Sequence, residues 1–104
     1  MAYISPDYLD DAKKYLRTGG KQLAQAKRAK CKNAATAFLT ATNNAGKALL
    51  AARAAKEEIA RIKATGGLVL PKEASKAKRA HSAAVKLQRR IQIFHMEFTD
   101  RCLR

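Results

Sequence analysis

Apolar and polar positions recur along this chain with the period of a helix. One seven-residue series reads Cys31, Phe38, Ala45, Ala52 and Ile59. A second, offset by three, reads Ala34, Ala41, Ala48, Ala55 and Ile62. Nearer the C-terminus the two series are Ala77, Ala84, Ile91, Phe98 and Ala80, Leu87, Phe94. These are a and d positions of helix-packing seams. Seams so rich in alanine allow close approach of the helix axes, because interaxial distance follows the size of the side chains at the contact.

The residues between the seams are mostly Ala, Leu, Lys, Arg and Gln, all good helix formers. Punctuation is sparse. Ser5 and Pro6 suit an N-cap and the first helical position. Gly19-Gly20 reads as the end of a first segment, and Gly66-Gly67 as a C-terminal stop. Pro71 stands where a new helix can begin. The pattern predicts a short helix at 6–18, a long one at 21–64 and another at 72–99. Asn43-Asn44-Ala45-Gly46 is a weak point at which the long helix could kink or break.

The fold class is therefore all-α: a long antiparallel helical hairpin with a short N-terminal helix, in one domain spanning 1–104. One hairpin leaves an apolar stripe open. A homodimer closing into a four-helix bundle would cover it, and a core of this size favours such a remedy.

Charge changes the picture from fold to function. The 104 residues carry 22 Lys and Arg against 8 Asp and Glu, a net charge of +14. Folding does not need that excess, and self-repulsion opposes it. Its distribution is uneven: residues 12–56 and 74–96 contain no Asp or Glu. Soluble helices usually mix signs, since opposite charges at i,i+4 help slightly. The acid-free stretches look like surfaces kept positive.

Two rows follow from helical spacing. In the last helix Lys72, Lys76, Arg79, Lys86 and Arg90 return to nearly one side, over about 27 Å at 1.5 Å per residue, with Lys78 and Arg89 flanking. In the long helix Gln25, Arg28, Lys32, Thr36, Thr40, Asn43 and Lys47 recur at spacings of three or four. The second row mixes cations with short neutral hydrogen-bonding groups, the side chains that contact phosphate and sugar. A charged helical row is more often a solvated face. Two such rows, both free of acid, on a chain of +14 favour nucleic acid. The six aromatics (Tyr3, Tyr8, Tyr15, Phe38, Phe94, Phe98) are not interleaved with the rows, so stacking platforms for a single strand are missing. No recognition-helix, zinc-finger or basic-zipper order is present. Backbone and shape readout of a duplex, as for A-form RNA, fits best.

In size, charge, helix plan and polar-basic row, residues 21–99 resemble the silencing suppressors of insect nodaviruses. The segment Lys30-Cys31-Lys32 through Lys47 is loosely like that family's RNA-facing helix. The resemblance implies a dimeric four-helix bundle lying along double-stranded RNA, shielding it in the host cytoplasm. The chain is also similar in flavour to an alanine- and lysine-rich protein of the small ribosomal subunit, at Gly67-Leu68-Val69-Leu70-Pro71-Lys72 and Lys76-Ala77-Lys78-Arg79-Ala80-His81. That similarity implies, as an alternative, a structural RNA-binding protein of the ribosomal type.

Other chemistry is poorly supplied. Cys31, Cys102, His81 and His95 lack zinc spacing. Without an apolar leader, the two cysteines read as free thiols in a reducing, intracellular compartment, with Cys31 a small seam residue and Cys102 exposed. His81 reads as a surface histidine at the edge of the basic row, with a phosphate contact as the alternative. His95 reads as structural. Glu57 and Glu58 diverge by about 100° on a helix and do not form an acid/base pair. No phosphate-cradling glycine loop or nucleophile pattern is present. The expectation is a binder, not an enzyme, with no cofactor, metal, small-molecule substrate or membrane partner. The alternative in a different class is an interaction module docking on an acidic protein.

Overall fold

The structure, a computed structural model, describes residues 6–103. Three helices follow in order: α1 (Pro6–Arg28), α2 (Cys31–Ala64) and α3 (Pro71–Cys102). Ser5, expected as the first cap, lies outside the described residues. The helices pack into a rod of 56 × 18 × 16 Å. Its radius of gyration is 16.4 Å, against about 13 Å for a compact domain of this length.

Three cross-links fix the topology. Cys31 at the start of α2 is bonded to Cys102 at the end of α3, so those helices are antiparallel. Asn44 Nδ2 donates to Gln22 Oε1 at 2.7 Å, and Lys47 Nζ lies 5.6 Å from the centre of the Tyr15 ring. Moving back along α1 thus moves forward along α2, and this pair is antiparallel too. α1 consequently runs parallel to α3.

The seams are where their period placed them. Ala34, Ala41, Ala45, Ala48, Ala52, Ala55, Ile59 and Ile62 are buried on α2, and Ala77, Ala84, Leu87, Ile91, Phe94 and Phe98 on α3. Phe38 is half-buried and packs on Phe94, Phe98 and His95, with ring centroids 5.3–6.3 Å apart. α2 runs through Asn43–Gly46 without a break; Asn44 is held across to α1.

The N-terminal third departs from expectation. Gly19-Gly20 does not end a helix; α1 continues to Arg28, and the chain turns at Ala29-Lys30, two residues that favour helix. Packing overrides propensity here. One continuous helix would leave Leu16, Leu23 and Ala26 in water. Turning at Ala29-Lys30 buries Leu23 and Ala26 against Ala34, Ala41, Ala45, Leu87 and Phe94. Gly19 is small because the helices cross there. A Cβ on it would meet Leu87 Cδ2 at 3.1 Å, Asn44 Cβ at 3.4 Å and the Ala41 carbonyl oxygen at 3.5 Å. α1 thereby covers the stripe that a two-helix hairpin leaves open.

The second turn is as the sequence predicts. Gly66 has φ +80°, a conformation that costs glycine nothing. Gly67 N–H donates to Ile62 O at 2.8 Å and Gly66 N–H to Lys63 O at 3.2 Å, the Schellman pair. Pro71 then opens α3.

The thiol expectation is overturned. Cys31 and Cys102 form a disulfide, with Cα atoms 5.6 Å apart. Antiparallel packing of α2 on α3 brings together residues separated by 71 positions. Cys31 lies at the exposed rim of the seam. Disulfides persist in oxidising settings, so the thiol argument for a reducing compartment falls away. Among the described residues no helix is long and apolar enough to cross a membrane.

Candidate nucleic-acid interface

The three helices enclose three surface grooves, and the two predicted rows fall in different ones. Lys72, Lys76, Arg79, Lys86 and Arg90 are all exposed on α3. Lys76 and Arg79 line a depression of about 510 Å³ between α3 and α1, joined by Lys13. Arg17, one turn beyond Lys13, extends the cations on the α1 wall. The floor is apolar, from Leu9, Leu16, Ala80 and Ala83, and Asp10 and Glu73 also line the depression. This end of the groove therefore has mixed charge. The acid-free part lies beyond, at Lys86 and Arg90.

The second row does not lie on one helix as its spacing predicts: the turn at Ala29-Lys30 leaves Gln25 and Arg28 on α1 and Lys32, Thr36, Thr40, Asn43 and Lys47 on α2, and the two parts border the α1/α2 groove. Gln25, Arg28, Lys32, Thr36, Asn43 and Lys47 are exposed and Thr40 is half-buried. Gln25, Thr36 and Thr40 line a depression of about 420 Å³ together with Gln22 and Asn33. Its lining is polar and uncharged, with the cations at its margins.

Local bonds decide what these groups can offer. Thr40 Oγ1 donates to Thr36 O at 2.9 Å. Its proton is spent within the helix, and its oxygen remains an acceptor, suited to a ribose hydroxyl but not to a phosphate oxygen. Arg28 Nε bonds Ala24 O at 3.4 Å and Arg79 Nε bonds Ser75 O at 3.5 Å. Both leave their terminal guanidinium nitrogens for an anion. Lys47, over Tyr15, is the most restrained of the lysines in this row.

α1 separates the two rows, so they do not form one continuous face. Three residues outside them make a third cationic region. Half-buried His81 lies on α3 beside Arg53 and Lys56 of α2. Its proton affinity is lowered from the ordinary value, first by burial and then by the fields of Lys56 and Arg53. The sequence placed His81 at the edge of the Lys76–Arg79 row; it belongs to the opposite side of α3. The acid-free stretch 12–56 contains Arg53 and Lys56, but only the α2/α3 register shows which helix they face. Among the described residues no three His, Cys, Asp or Glu side chains are gathered as metal ligands.

No protein-family model matches this chain, and no curated protein or solved structure matches it either.

Proposed function

We propose that this protein binds double-stranded RNA without regard to sequence, through its phosphate backbone, and performs no chemical step. The observation that carries the reading is exposed cations along the rod, 56 Å long: one row on α3, and a second set on both walls of the α1/α2 groove. That length exceeds one duplex turn of about 34 Å. The rod presents charge at helical spacing, and its phenylalanines pack in the core, away from the cations, as suits shape readout.

In this reading Lys72, Lys76, Arg79, Lys86 and Arg90 neutralise phosphates from the α1/α3 side. Arg28, Lys32 and Lys47 do so from the α1/α2 side, Thr36 and Asn43 add bonds to sugar or phosphate, and Thr40 accepts from a ribose hydroxyl. One straight duplex lies against one row, and the other row serves a second duplex or the second strand of a bent one. α1 already covers the seam, so binding does not need a partner copy. A homodimer would double the rows, and sedimentation with and without RNA reads the stoichiometry. Coating of this kind would shield duplex RNA, the role of the silencing suppressors that the chain resembles.

The test is a binding panel at one salt concentration with duplex RNA, duplex DNA and single strands. Preference for the RNA duplex, and protection of it from a duplex-specific ribonuclease, support the reading. Equal affinity for all three removes shape readout.

One observation favours a second reading. The α1/α3 groove has an apolar floor between charged walls, which suits an amphipathic helix of an acidic protein. Nuclease treatment separates the two, since a complex with protein survives it and a complex with RNA does not.

A further inference from the structure

The α2/α3 groove is not used by either predicted row. On α3, His81 sits one turn after Ala77 and one turn before Ala84, both buried on the seam. On α2 the opposing seam residues are Ala52 and Ala55, also buried. Ala77 packs in one cluster with Ala55, and Ala84 in another with Ala48 and Leu49, so His81, half-buried between them, stands level with the Ala52–Lys56 turn of α2. Arg53 and Lys56, three residues apart and therefore on one side of α2, belong to that turn and are exposed.

The charged surroundings are one-sided. From α2 the groups facing His81 are Arg53 and Lys56. From α3 its neighbour is Lys78, one turn earlier and exposed. Glu57 follows Lys56 but is turned further from α3, about 100° around the helix. Glu73, two turns before His81, lines the α1/α3 groove instead. Burial first, and then the positive field of Lys56 and Arg53, opposes protonation of the imidazole. An anion seated among the three groups reverses the field and favours the imidazolium, which then donates a charge-assisted bond.

We infer that Arg53, Lys56 and His81 form a phosphate-binding site in the α2/α3 groove, which takes up a proton on His81 as the anion enters. Its grip tightens as pH falls. A nucleic-acid backbone and a free polyphosphate offer the same chemistry; the choice of RNA as the phosphate's owner rests on the proposed function above.

The experiment follows the His81 imidazole resonances of the full chain by NMR across about pH 5 to 8. It is run alone, with inorganic tripolyphosphate and with duplex RNA. The site requires tripolyphosphate to raise the His81 midpoint by about one unit, and the rise to vanish in an Arg53→Gln, Lys56→Gln variant. An unmoved midpoint at high tripolyphosphate overturns it. In parallel, RNA affinity at about pH 5.5 is expected to be roughly threefold or more above that at about pH 7.5, because one proton is linked to binding. His81→Gln abolishes that gain, whereas His95→Gln retains it. A raised midpoint without RNA binding keeps the site and removes the RNA reading. RNA binding with no pH dependence and no movement of His81 does the reverse.

Discussion

Reduction of the Cys31–Cys102 disulfide is expected to cost this protein much of its stability. The bond joins residues 71 positions apart. In the chain-entropy description, a closed loop of that length lowers the entropy of the unfolded chain by about 15 cal/mol/K, or about 4 kcal/mol at 25 °C. A domain of about 100 residues has an unfolding entropy near 0.2 kcal/mol/K, so the loss corresponds to roughly 20 °C in Tm. The native bundle keeps its packing without the bond, because the aromatic cluster of Phe38, Phe94 and Phe98 lies one to two turns inside it. The effect thus falls mainly on the unfolded state. The assay is thermal unfolding followed by far-ultraviolet circular dichroism, with and without a phosphine reductant, the bond's state being checked by intact mass. Cys102→Ser in oxidised buffer should match the reduced wild type. A Tm within about 3 °C in both redox states would refute the reasoning, since it would put the bond's contribution below about 1 kcal/mol.

The glycines of α1 provide a paired test in the same assay. Gly20→Ala enters open space inside a helix and is expected to stabilise by about 0.5–1 kcal/mol. Gly19→Ala must push the Leu87 side chain aside by a few tenths of an ångström, so it falls about 1 kcal/mol below Gly20→Ala. Phe94→Ala removes a side chain 1% exposed at the centre of the largest core cluster and should cost about 3–5 kcal/mol by denaturant unfolding. Because His81 binds its proton more weakly folded than unfolded, stability from this group is complete above about pH 6.5 and declines as pH falls through the unfolded and then the folded midpoint. His81→Gln should flatten that part of the stability–pH curve, and a curve of unchanged slope contradicts it. Replacing Arg79 and Lys86 by Glu should reduce RNA affinity by at least tenfold while leaving helicity intact, since each reversed contact costs on the order of a kilocalorie; unchanged affinity places the interface on another face.

The seams on α2 and α3 were legible in the sequence because seven-residue recurrence is a local signal; every predicted alanine is buried except Ala80, which lines the α1/α3 groove. The Gly66-Gly67 stop was legible for the same reason: a left-handed residue and two backbone bonds are a local matter. The turn at Ala29-Lys30 was not. Neither residue opposes helix, and what reverses the chain there is burial of Leu23 and Ala26 against residues far along α2 and α3. Gly19-Gly20 misled in the complementary way, since glycine serves close approach as readily as turning. The α3 row was visible as a periodicity, whereas the second was read across a turn that splits it between α1 and α2; which groove each borders depends on the position of α1. The disulfide and the Arg53–Lys56–His81 cluster were hidden for one shared reason. Both are set by the α2/α3 register, which pairs residue 31 with 102 and the Arg53–Lys56 turn with His81.

Neutralisation of duplex-RNA phosphates by the exposed cations of this rod, as proposed, is read from the salt dependence of affinity. Each neutralised phosphate releases counterion, so the logarithm of the association constant falls linearly with the logarithm of salt concentration. If the five α3 cations of one row each engage a phosphate, the slope is about −4 to −5. It should weaken by about one unit for each of Lys76, Lys86 and Arg90 changed to Gln. A slope near zero, or no binding at physiological salt, would contradict the account.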